Sequence, residues 1–214
     1  MKIIAGLIVI LLICYFVIRY VREKKRREEV ELLKTSDWML LRATELHGNQ
    51  KYGEGPYKYH LEKVLMNARK YMSFYGDDPE LTQALEMAAI FHDTLEDVVG
   101  YTYNDLKRDV AKVFSDPFYV DLVAEIVYAC TNDKGRNRAE RAGDAYYKGI
   151  RETGYAPFIK ACDRLANLEF SGQQRSSLHK KYIQELPEFL KKIEAADNPI
   201  PTGLKEELCS YLPD

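Results

Sequence analysis

The pattern of apolar and polar positions divides this chain into two unlike parts. Ile3 to Ile18 holds no charged residue, and extended through Val21 the segment makes a helix about 28 Å long, close to the hydrocarbon thickness of a bilayer. From Ser36 onward apolar residues recur three and four apart, in segments closed by Gly, Pro or Asp. That spacing predicts packed amphipathic helices. No alternating run is long enough to predict a strand, so the class is all-α.

Ser36 is placed to cap a helix carrying Trp38, Leu41 and Leu46 that stops at Gly48; the glycines and Pro56 then predict a loop through Gly55. Tyr57 to Tyr75 is the next helix, with Leu61, Val64, Leu65 and Ala68 inward. Asp78 and Pro79 cap and open a helix with Leu81, Leu85, Ala88, Ala89 and Leu95 on one side and Gly100 at its end. Further helices are predicted at about Asn104 to Phe114, Pro117 to Cys130, Arg138 to Glu152, Pro157 to Leu168, Ser176 to Ala196 and Leu204 to Leu212. The organisation is a membrane anchor over 1–21, a charged helical connector over 22–35 and one helical domain over 36–214.

Charge bears first on topology. Arg19, Arg22, Lys24, Lys25, Arg26 and Arg27 follow the apolar run, whereas only Lys2 and the amino terminus precede it. The positive-inside rule therefore predicts a single-pass protein with its domain in the cytoplasm. A cleaved signal peptide is the alternative, but it carries its positive charges before the apolar run and small residues after it. Over the whole chain 31 Lys and Arg nearly cancel 33 Asp and Glu, which is not the balance of a nucleic-acid binder. The four cysteines form no CxxC pair and are predicted to be reduced, buried packing residues.

Candidate chemistry gathers around the histidines. His92, Asp93, Glu96 and Asp97 are spaced to cluster on one side of a helix, beside apolar Ala88, Ala89 and Phe91. An imidazole and three carboxylates there are costly unless a cation neutralises them, and a divalent metal is the natural partner. Asp163 and Asn167 lie one turn apart in another apolar stretch. Each piece also has a structural reading: His92 a satisfied core histidine, Asp93 a partner for Arg164, Glu96 and Asp97 a solvated helix end.

Three stretches together resemble the HD superfamily of metal-dependent phosphohydrolases, most closely the hydrolase domain of RelA/SpoT homologues, which removes the 3′-pyrophosphate of (p)ppGpp. His47-Gly48-Asn49-Gln50 followed by Gly55-Pro56-Tyr57-Lys58-Tyr59-His60 is similar to the family's histidine, glutamine and Pro-Tyr-x-x-His pattern. His92-Asp93-Thr94-Leu95-Glu96-Asp97 is similar to its His-Asp-x-x-Glu-Asp, and Lys160-Ala161-Cys162-Asp163-Arg164-Leu165-Ala166-Asn167 to its Lys-Leu-Ala-Asp-Arg-Leu-x-Asn. The resemblance spans roughly Asp37 to Leu190.

It implies an HD-type helical bundle in which His60, His92, Asp93 and Asp163 hold one divalent ion, manganese by family likeness. Glu96 and Asp97 would activate water, and Asn167 would contact the sugar, while His47 is read as structural. Where the family has an Arg-Lys pair that contacts guanosine, this chain has Lys51-Tyr52. Reduced guanine selectivity is the expectation, with tyrosine still able to stack on a base. Lys134, Arg136, Arg138 and Arg141 lie close together and either bind the substrate's phosphates or make a solvated charged face; Lys160 is a further phosphate contact. The predicted partners are a nucleotide substrate and the membrane. The alternative function is an HD sensor or scaffold that binds metal and nucleotide without turnover; the intact Glu96-Asp97 pair favours the enzyme.

Overall fold

The computed structural model describes residues 13–24, 36–132 and 143–213. These residues are mostly helical, as the periodicity predicts. After α1 (residues 13–24) come α2 (Ser36–His47), α3 (Lys58–Tyr71), a 3-10 turn (Met72–Tyr75), α4 (Pro79–Phe91), α5 (Thr94–Asp97), α6 (Tyr103–Val110) and α7 (Pro117–Cys130). The chain continues with α8 (Asp144–Glu152), α9 (Ala156–Gln173), α10 (Ser177–Ile193) and α11 (Thr202–Cys209).

The chain starts and stops its helices with the predicted chemistry. Asp78 accepts from the backbone N–H of Glu80 at 2.9 Å, with Pro79 in the first turn of α4. Asp116 caps α7 in the same way through Phe118 N, ahead of Pro117, so each cap satisfies a donor that the helix leaves unpaired. The core forms where α3 packs against α9 and α4, with α7 packed against both α4 and α9. Leu61, Val64 and Ala68 of α3 meet Leu85, Ala88 and Ala89 of α4 and Ile159, Leu165 and Ala166 of α9, all fully buried or nearly so. Asp109 of α6 is buried as well, held by Arg42 of α2 at 2.9 Å, Lys112 at 2.7 Å and the Tyr101 hydroxyl at 3.0 Å.

Several expectations change. The predicted helix through His92 to Asp97 breaks, because α4 ends at Phe91 and Asp93 turns to φ −101°, ψ −1° before α5 starts. Thr94 Oγ1 donates to Phe91 O at 2.7 Å, so a side chain occupies the carbonyl at the break. The loop after Gly48 contains a two-residue antiparallel ladder, β1 (Lys51–Tyr52) with β2 (Gly55–Pro56), pairing Tyr52 with Gly55. In α2 it is Met39 and Ala43 that face the core, while Leu41 is exposed. Cys130 and Cys162 are buried, but Cys14 and Cys209 are exposed, and all four are free thiols.

The predicted anchor falls partly on residues 1–12, and the predicted connector partly on residues 25–35, which lie outside the described residues. Among the described residues no helix is long and apolar enough to cross a membrane. Residues 13–24 are helical, with Ile13, Phe16, Val17, Ile18, Tyr20 and Val21 all exposed.

Candidate metal centre

Three helical segments bring the site together. His60 stands in the first turn of α3, His92 and Asp93 occupy the break after α4, and Asp163 sits midway along α9. Their nearest ligand atoms all lie within 4.8 Å of one another. His60 Nε2 is 3.2 Å from His92 Nε2, 3.3 Å from Asp93 Oδ2 and 3.4 Å from Asp163 Oδ1. His92 Nε2 is 2.8 Å from Asp93 Oδ2 and 3.8 Å from Asp163 Oδ1. Neighbouring donors on a divalent ion with bonds near 2.1 Å stand about 3 Å apart, close to the 2.8–3.8 Å separations of these atoms.

His92 presents a ring nitrogen correctly for such an ion. His92 Nδ1 lies 2.8 Å from Ala89 O; a carbonyl can only accept, so Nδ1 carries the proton and Nε2 offers its lone pair to the cluster. Burial, the largest influence on His60, pulls its pKa down, but the hydrogen bonds to Asp163 and Asp93 outweigh it and hold the imidazole up at about 9. Asp93 and Asp163 are both held below the ordinary carboxylate range: burial opposes this, and the adjoining His92 and His60 rings for Asp93, and the Lys160 ammonium for Asp163, lead the opposing effects. The cluster thus calls for positive charge at its centre, which a divalent cation supplies.

A second layer orients these ligands. The Tyr57 hydroxyl donates to Asp93 Oδ2 at 2.6 Å, Asn167 Nδ2 donates to Asp163 Oδ1 at 2.6 Å, and Lys160 Nζ is 2.9 Å from Asp163 Oδ2. Tyr52 reaches in from β1: its ring packs 4.7 Å from that of His60 and 4.0 Å from that of Phe170, and its hydroxyl donates to Asn167 Oδ1 at 3.1 Å. Such partners fix ligand orientation and raise metal affinity. His60 Nδ1 is buried without a protein hydrogen-bond partner.

Glu96 and Asp97 lie on α5, on the exposed side of the cluster. Glu96 Oε2 accepts from the backbone N–H of Asn132 at 3.0 Å, and Asp97 Oδ2 accepts from Gln50 Nε2 at 2.8 Å. The Glu96 carboxyl is raised above its ordinary value, chiefly by the surrounding protein, with Asp93 and Asp97 adding to the effect against Lys160 and the Asn132 N–H. Lys51 is exposed on the hairpin, whereas Tyr52 is half-buried. Lys134, Arg138 and Arg141 lie outside the described residues. Sequence reasoning gave no role to Tyr57 or Gln50, although both stand in the stretches that carry the family likeness; their signal was a polar residue at fixed distance from a ligand.

No family model matches the chain, and no curated protein matches it. The site therefore stands on its own geometry: a helical protein with a buried His/Asp group of a kind compatible with an HD-type metal site.

Proposed function

We propose that this protein is a metal-dependent phosphohydrolase of HD type acting on a phosphorylated nucleotide, a (p)ppGpp-like 3′-pyrophosphate being the leading substrate. The observation that carries it is the closure of His60, His92, Asp93 and Asp163 within 4.8 Å beside two exposed carboxylates. A pure binding module has no use for that carboxylate pair.

His60, His92, Asp93 and Asp163 would hold a divalent ion such as Mn2+, which would supply Lewis-acid polarisation of a phosphoryl oxygen and a more acidic water. The protein supplies the rest. Glu96, whose carboxyl pKa is raised above its ordinary value, is suited to take up and return a proton. Asp97 aligns water as an acceptor, and Lys160, which its acidic surroundings keep charged despite burial, offsets phosphate charge beside Asp163. Asn167, whose amide is turned toward Asp163, is the residue expected to contact the sugar. The exposed apolar side chains of α1, with the uncharged run 3–12 before them in the sequence and the basic run after them, support membrane attachment with the domain in the cytoplasm.

The test is a panel of nucleoside 3′- and 5′-pyrophosphates incubated with the full-length chain and Mn2+, with released phosphate and pyrophosphate measured. Matched guanosine and adenosine 3′-pyrophosphates within it read the base preference that Lys51-Tyr52 is expected to weaken. Asp93→Ala should lose most of the bound metal and at least about a hundredfold in rate, whereas His179→Ala should change neither. Nucleotide binding without turnover across the panel would move the assignment to a sensor, and a full equivalent of metal in Asp93→Ala would refute the ligand set.

A further inference from the structure

An exposed carboxylate at the end of a four-residue helix has several rotamers available, and choosing one costs entropy unless something holds it. Asp97 is held. Gln50 Nε2 donates to its Oδ2 at 2.8 Å, and Gln50 Oε1 lies 2.8 Å from His47 Nδ1. The order of this chain is dictated by chemistry: an ionised carboxylate only accepts, so the amide nitrogen must face Asp97 and the amide oxygen must face the imidazole. His47 Nδ1 therefore carries the proton.

Both ends of the relay are anchored. His47 is 6% exposed and its ring packs 4.4 Å from that of Tyr57, the residue that donates to Asp93. Gln50 is fixed through its backbone, donating to His47 O at 3.1 Å and accepting from Tyr57 N at 3.1 Å. The same turn that brings Tyr57 to a metal ligand thus brings Gln50 to Asp97.

We propose that Gln50 is a positioning residue for Asp97 and that His47, read from sequence as merely structural, sets which way the Gln50 amide points. The proposal rests on the hydrolase reading, in which Asp97 aligns water. With Oδ2 engaged by the amide, Oδ1 is the carboxylate oxygen left to accept from water.

Gln50→Glu keeps the shape and reach of the side chain but sets an acceptor against Asp97. In the full-length chain with Mn2+ and guanosine 3′,5′-bis(diphosphate), kcat should fall at least about tenfold while KM stays within about threefold and metal content is unchanged. His47→Asn, which retains an N–H donor near the Nδ1 position, should keep kcat within about threefold of the parent, and His47→Leu should fall with Gln50→Glu. A Gln50→Glu enzyme as fast as the parent, or one whose lost rate follows lost metal, would overturn the proposal. If the parent chain releases no pyrophosphate, the hydrolase reading fails for that substrate and the relay is decided separately, by long-range 15N–1H spectra of the Zn2+-loaded chain. A proton on His47 Nδ1 that loses its preference in Gln50→Leu supports the relay, and a proton on Nε2 in the parent sinks it.

Discussion

Two buried aspartates in this molecule are neutralised by different means. Asp163 sits among His60, Lys160 and Asn167 in a cluster that suits a cation, whereas Asp109 is answered entirely by Arg42, Lys112 and Tyr101. Burial pushes the Asp109 pKa up, but its hydrogen bonds to Lys112, Arg42 and Tyr101 prevail and hold it below its ordinary value. A depressed folded pKa adds stability above the unfolded value near 3.9, and that stability is lost as pH falls through the folded one. Asp109→Asn should therefore cost about 2 kcal/mol at pH 7, since Arg42 and Lys112 are partly solvated, and less below pH 4. Urea titrations of both proteins at the two pH values measure this; an equal loss at both would assign the effect to packing alone.

At the scale of elements, the sequence pattern located the helices well and their interruptions poorly. Caps such as Asp78-Pro79 and Asp116-Pro117 are local chemistry and could be read directly. The break at His92–Asp93 could not, because Phe91, Thr94 and Leu95 continue the helical spacing across it, and the Thr94 side chain that accompanies it by bonding Phe91 O leaves no signal in that spacing. The four ligands were legible only through family likeness, since nothing in their spacing says that α3 and α9 pack together. The glycines and Pro56 predict only a plain loop where the β1–β2 hairpin forms, yet it carries Tyr52 to His60. Gly53 holds its tip at φ +60°, and a Cβ built there would stand 2.7 Å from Phe170 Cζ. Gly53→Val should lift the hairpin off α9 and weaken metal binding by about tenfold without unfolding the domain. Metal titration followed by calorimetry checks it, and unaltered affinity would show that Tyr52 does not support the site.

For the whole molecule, the first issue is orientation. A reporter fused after Asp214 should signal a cytoplasmic location, because the basic residues after the apolar run retain that flank; signal from the opposite side of the membrane would reverse the assignment. The second follows from where the four ligands come from. His60, the His92–Asp93 pair and Asp163 belong to segments far apart in sequence that meet only when α3, α4 and α9 are packed. An ion gripping all of them is a clasp across the core, with little to hold in the unfolded chain. Linkage then adds about 2.7 kcal/mol of stability at a hundredfold excess of metal over Kd, or roughly 5–10 °C in Tm for a domain of this size. The rise should appear with Mn2+ in the parent chain and vanish in Asp93→Ala. On this account, cellular metal supply sets the lifetime of the fold as well as the rate of any reaction it performs.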